Sequence, residues 1–353
     1  MKKKKGLKPV AAILIIAAVS VLSLLFGNIL AARLQDTPVT PLETAKTITL
    51  DNTLEQIRSG DLDEICENSI AAYKSLDSME AYKTRISAVL EDLDPELLHI
   101  VYDDEDHYRL YCEDQYVAPL EVVEISEDEF QVLLPITGTK SYLVEVPTGK
   151  KLYANGIEIS SSNIKEKNIP ASNFWEVRET NYIPYVDLYE IKDLIDVPEL
   201  DLGDQAEYTL LEDPMSGNYL FGKTVKDKEL LQMAIDYAKT LAAYPAQDGN
   251  LGAVSAIALT SSSWYPRYTG IQNYWFTAHQ TSKFSNEEVL KAAWQSDDSF
   301  VAHVIFDYFA DNGEVHRTWY IGYQLTLINT PNGWKIGAIE INNELNPRTV
   351  IPE

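Results

Sequence analysis

The stretch from Pro9 to Ala32 runs for 24 residues without a formal charge, and it constrains this chain more than any other feature. Its most apolar part extends from Val10 to Phe26. A helix rises about 1.5 Å per residue, so the stretch crosses a hydrocarbon core of roughly 30 Å with some tilt. Lys2, Lys3, Lys4, Lys5 and Lys8 precede it and place the N-terminus in the cytoplasm by the positive-inside rule. A cleaved signal peptide is the competing form. The apolar run is long for one, however, and Leu30-Ala31-Ala32 puts Leu where a cleavage site needs a small residue. No cysteine follows that would accept a lipid. The prediction is an uncleaved signal anchor at residues 9–32, a cytoplasmic stub at 1–8, and a single-pass protein of the cell membrane with its body outside.

The charge is unevenly placed. Six of the 29 basic residues lie in the first 33 positions, leaving 23 against 54 acidic residues in the body. So acidic an ectodomain repels nucleic acid and other polyanions, and it favours cations or basic partners. Length predicts two or three domains, and 45% hydrophobic content supports real cores. Cys66 and Cys112 lack the spacing of a zinc site. Spacing leaves two readings of them open, a disulfide or two buried thiols.

Residues 33–41 read as a Pro-containing spacer. Helical periodicity follows at 42–59, closed by Gly60, then at 61–74 and 78–91. The period then changes to two, giving strands at 99–102, 107–112, 116–125 and 130–136. Residues 42–139 therefore form a first helices-plus-sheet domain. Residues 140–212 form a small all-β module in which Asn155-Gly156 predicts a type I′ hairpin, because both turn positions need positive φ. A linker is expected at 213–224. From Val225 the first layout returns through residue 345. An apolar helix face carries Leu230, Ala234, Tyr237 and Leu241, and helical stretches follow at 251–259 and 264–275. Strands come next at 284–294, 300–309, 315–329 and 334–341. A tail is expected at 346–353. The fold class is α+β: a transmembrane helix, then two domains in which a curved antiparallel sheet wraps around helices, with the β module between them.

Two stretches resemble known families. Tyr142-Leu-Val-Glu-Val-Pro-Thr-Gly149 followed by Leu152-Tyr-Ala-Asn-Gly156 resembles a hairpin in small β modules of Gram-positive, membrane-anchored envelope proteins, the teicoplanin-resistance-associated membrane proteins among them. This sequence carries no counterpart of their cytoplasmic zinc ribbon. Tyr323 to Asn329, followed by Asn332-Gly-Trp-Lys-Ile-Gly337, is similar to the closing hairpin of NTF2-like (SnoaL-like) domains. The resemblance implies an extracytoplasmic envelope protein with tandem NTF2-like domains, and it supplies no catalytic residues.

Such domains hold a conical pocket, which directs attention to a few side chains. On the strand from Phe300, alternation puts Phe300, Ala302, Val304, Phe306 and Tyr308 on the core face, with His303 and Asp307 on the other alongside Val301, Ile305 and Phe309. Trp319, Ile321, Tyr323, Leu325 and Leu327 form the matching apolar face of the next strand. A general base has to come within about 3 Å of its substrate proton, so the outer-face pair cannot serve the cone. His279 is within reach of the cone mouth. Trp264, Tyr265, Tyr268, Tyr274 and Trp275 are candidates for gripping a sugar ring or a peptide, the alternative being core packing. Asp103-Asp104-Glu105-Asp106 lacks the spaced ligands of a calcium loop and reads as an acidic turn. No phosphate loop, serine nucleophile motif or HExxH is present. The expectation is a non-catalytic protein without metal or cofactor, binding a cell-wall polymer or envelope protein in cell-wall maintenance or antibiotic response. The alternative is an enzyme or small-ligand binder using the C-terminal conical pocket.

Overall fold

A computed structural model describes residues 41–104, 106–127, 129–271 and 278–349. The predicted membrane span at 9–32 lies outside these residues. Among the described residues no helix is long and apolar enough to cross a membrane. The chain is mixed α+β and divides into two compact units, residues 41–73 with 87–135 and residues 74–86 with 136–349.

The first unit begins with helices α1 (Pro41–Ser59) and α2 (Asp63–Tyr73). Gly60 ends α1 at φ +75°, a conformation that costs glycine nothing. Helix α3 (Met79–Leu90) is divided between the two units after Ile86. Four strands then form an antiparallel meander: β1 (Leu98–Asp104), β2 (His107–Cys112), β3 (Gln115–Ser126) and β4 (Glu129–Leu133). Alternation turns Leu110, Cys112, Leu120, Val122 and Val132 inward, where Ile57, Leu62, Ile65 and Cys66 are also buried. Cys66 and Cys112 are both buried thiols, so the disulfide reading is corrected. The apolar interior keeps each as a small hydrophobic side chain, and Cys112 Sγ points to the Asp94 carbonyl at 3.7 Å.

The second unit opens with β5 (Lys140–Pro147), followed by the short strands β6 (Tyr153–Ala154) and β7 (Ile157–Glu158). Asn155 and Gly156 join these two at φ +48° and +78°, the positive pair that a type I′ turn demands. Strands β8 (Ile164–Pro170), β9 (Tyr185–Leu194), β10 (Leu200–Asp201), β11 (Tyr208–Glu212) and β12 (Tyr219–Lys223) complete the β region. Five of these strands make one sheet in the order β11-β12-β5-β9-β8, and β10-β6-β7 make a smaller one. Residues 213–224, expected as a linker, thus hold a strand. Its continuation pairs Thr224 with Ala293 and sends the Val225 N–H to the Ala292 carbonyl at 3.0 Å. The approach is so close that a Cβ on Gly222 would lie 1.9 Å from the Trp294 carbonyl oxygen.

Helix α4 (Lys228–Ala243) starts at Asp227, whose carboxylate caps the Glu229 N–H at 2.8 Å. Helices α5 (Leu251–Ile257) and α6 (Trp264–Thr269) follow, α6 ending short of the predicted 264–275. Strands β13 (Thr281–Ser296), β14 (Ser299–Asp311), β15 (His316–Thr330) and β16 (Gly333–Ile341) form a second antiparallel meander. Three irregularities in the β13–β14 register bend the long β13, as bulges do, and wrap the sheet around the helices. The concave face carries Phe300, Ala302, Val304, Phe306 and Tyr308 against Tyr323, Leu325 and Leu327, packed on Ala234, Ala238 and Leu241 of α4. The convex face is buried too. Val301 packs on Leu211 and Leu220 of the five-stranded sheet, and Ile328 on Phe174, Val177 and Val186. The tail expected from residue 346 is held at its described start. The Asn346 amide donates to the carbonyls of Phe306 (3.1 Å) and Ile321 (3.3 Å), and Arg348 Nε donates to Asp307 at 2.8 Å.

Candidate functional site

Cross-strand register sets the geometry of the site. On the concave face Val304 stands opposite Tyr323, Phe306 opposite Ile321 and Tyr308 opposite Trp319. Toward one end of the sheet the helices no longer cover these residues, and a cleft of about 120 Å³, partly open to solvent, remains. Tyr268, Tyr308, Trp319 and Tyr323 line it with Ile321, Ile341, Ala242 and Ala246. The rings of Tyr308 and Trp319 lie 5.8 Å apart on its wall.

The hydroxyls of Tyr308, Tyr268 and Tyr323, three of the tyrosines lining the cleft, have protein partners. Tyr308 donates to Asp248 Oδ2 at 2.6 Å, and Tyr268 donates to the Leu241 carbonyl. The Tyr323 hydroxyl meets that of Tyr268. Burial drives all three phenols well above their ordinary pKa, and for Tyr308 the neighbouring Asp248 carboxylate adds to the effect. These phenols therefore stay protonated and present ring faces and edges to the cleft rather than a base.

His279 is placed at the cleft's edge. Its Nε2 lies 3.0 Å from Asp248 Oδ1 and 3.4 Å from the Tyr308 hydroxyl. Burial works to raise the Asp248 carboxyl, but hydrogen bonds from Ser282, Tyr308 and His279 outweigh it and hold the group below its usual value. Asp248 is thus an ionised acceptor that fixes Tyr308 and His279 together. It carries no periodic signal, since it sits in the Gln247-Asp-Gly249 turn after α4.

The other candidates separate. Trp264 is buried in the core, its Nε1–H directed at the Ile336 carbonyl at 3.3 Å, and its ring packs edge-on against Tyr265 and Tyr268. Tyr265 is half-buried, with its hydroxyl 2.5 Å from Ser255 Oγ. Only Tyr268 of the aromatic candidates described lines the cleft. Tyr274 and Trp275 lie outside the described residues. In the acidic run, Asp103 is bonded to Arg109, Asp104 to His107 and Asp106 to Lys46, which accounts for its described carboxylates as surface ion pairs. Among the described residues no group of three His, Cys, Asp or Glu side chains stands close enough to hold a metal ion.

His303, read as an outer-face residue, is only 4% exposed because the β region covers that face. Its Nε2 lies 2.8 Å from Gln324 Oε1, and Gln324 Nε2 donates to Asp213 Oδ1 at 2.6 Å. A carboxylate only accepts, so the amide must turn its oxygen to His303, whose Nε2 then carries the proton. Burial lowers the His303 pKa and keeps the ring neutral. Asp213 also accepts from Ser216 and Ser172, and Glu145 accepts from Asn218 at 2.7 Å. Burial pushes the Glu145 carboxyl up against these bonds. The seam ties the β region to the back of the sheet and does not reach the cleft.

No protein-family model matches the chain, and no curated protein matches it. Among solved structures it is similar to an "Ntf2 like protein involved in plasmid conjugation", at 10% identity and a TM-score of 0.26, over 75% of this chain and 89% of that one.

Proposed function

We propose that this chain is a non-catalytic, membrane-anchored extracytoplasmic protein whose C-terminal domain, read as NTF2-like, binds a small apolar ligand in its cone. The cleft carries this reading: aromatic rings line it, and the hydroxyls of Tyr308 and Tyr268 are already bonded to protein. The lysine-led apolar segment at 9–32 supports the anchor, and the acidic body argues against nucleic acid as a partner. A role in the cell envelope, toward a wall polymer or envelope protein, follows from that placement and from the hairpin at 142–156.

The test uses the full-length chain in lipid nanodiscs with the neutral fluorescent probe N-phenyl-1-naphthylamine. Wild type is expected to enhance fluorescence above empty nanodiscs, and Ala246→Phe, which fills the cleft, to abolish the excess while circular dichroism is unchanged. Equal excess from both proteins overturns the cleft as the binding site. For the anchor, a membrane-impermeant amine reagent applied to intact cells should label the body and spare Lys2 to Lys8. Labelling of those lysines would refute the orientation.

One observation favours a second reading, acid/base chemistry at the cone mouth: His279 lies within hydrogen-bond range of both Asp248 and Tyr308. Under that reading His279→Gln removes turnover of a cleft ligand while binding persists.

A further inference from the structure

The concave face of β15 is graded along its length. Alternate residues share a face, so Arg317, Trp319, Ile321 and Tyr323 run in that order from the open end of the sheet toward the core. Arg317 is exposed and its guanidinium lies over the Trp319 ring, 5.1 Å from the centroid. Trp319, Ile321 and Tyr323 all line the cleft. None of the described carboxylates forms an ion pair with Arg317, in a chain with nearly twice as many acidic as basic residues. A cation thus stands beside a mostly apolar cavity, positioned by its cation–π contact with a lining residue. Asp248, bonded to the cleft residue Tyr308, is engaged by that hydroxyl and by His279.

Resting on the proposed cleft, we infer that the ligand is a monoanionic amphiphile: an alkyl or aryl body fills the cleft and a carboxylate-like head meets Arg317. The apolar walls exclude a charged body, because burying an unpaired ion is costly. An exposed guanidinium offers a bidentate donor pair suited to a planar anion.

The experiment compares three brominated probes on the full-length chain in nanodiscs, by quenching of tryptophan fluorescence: 8-bromooctanoate, 8-bromooctan-1-ol and 8-bromooctylammonium. The share of quenching lost in Trp319→Phe reports the cleft. Octanoate is expected to bind about fivefold more tightly than the alcohol, the size of one partly exposed ion pair, and the ammonium most weakly. Arg317→Gln should bring octanoate down to the level of the alcohol and leave the alcohol unchanged. If the alcohol binds but octanoate gains nothing, or if Arg317→Gln leaves their ratio intact, the anionic class is overturned and the cleft stands. If no probe quenches Trp319, the cleft reading itself falls.

Discussion

The Tyr308 hydroxyl donates to Asp248 at 2.6 Å, joining a strand residue that lines the cleft to a turn residue 60 positions earlier. Because His279 bonds to the same carboxylate, one side chain in the turn after α4 holds the residues leading into β13 and the C-terminal part of β14. Asp248→Asn should therefore cost about 1 kcal/mol at neutral pH, as expected for charge-assisted bonds to a group that solvent partly screens. The native carboxyl titrates below its unfolded value, so its contribution is present above the usual carboxylate range and is lost as pH falls through the lowered value. Urea titrations should show wild type and variant converging in that acid window.

Gln324 satisfies two buried groups at once, His303 and Asp213. Gln324→Leu leaves both without it in an interior that water does not reach. We expect a loss of about 3 kcal/mol, read as a lower urea midpoint at an unchanged slope.

His303 gives a second pH signature of different origin. Burial lowers its folded pKa, while the unfolded ring takes a proton near its ordinary value of about 6.5. Stability is therefore expected to fall as pH drops below that value. His303→Gln, which keeps a donor toward Gln324, should flatten this part of the pH–stability curve. A slope identical to wild type between pH 5 and 7 would refute the assignment.

Gly222 and Gly217 make a paired test of close approach. A Cβ at Gly222 meets the Trp294 carbonyl oxygen at 1.9 Å, and backbone cannot move aside as a side chain does. Gly222→Ala should cost about 3 kcal/mol in chemical denaturation. Gly217 has open space but a φ of +70°, so Gly217→Ala should cost only about 1 kcal/mol.

The two helix-then-meander stretches were legible because their periods are clean. At 300–308 and 319–327 strict alternation identified the concave face, and Asn155-Gly156 identified its turn from the two positive φ values it requires. The convex face was not legible. His303, Gln324 and Thr326 alternate with apolar residues as solvent-facing positions do, and Asp213, the group that permits their burial, lies 111 residues from Gln324. The candidate site was legible only in pieces. Tyr268 and His279 stood out as an aromatic and a histidine near the cone mouth. Trp319, Tyr308 and Tyr323 read simply as core, because periodicity reports which face a side chain takes and not where the helices stop covering it. Trp264 is the converse case, a conspicuous ring whose N–H is directed at the Ile336 carbonyl inside the core.

The run of β12 into its bridge with β13 bears on how this chain can be rearranged by recombination. A crossover between 212 and 225, the segment that most resembles a joint in sequence, would part Leu220 and Gly222 from the Val301 and Trp294 surface they fit. Shuffled descendants would then expose two sticky faces, so the β region and the C-terminal sheet should be inherited together, as one cassette.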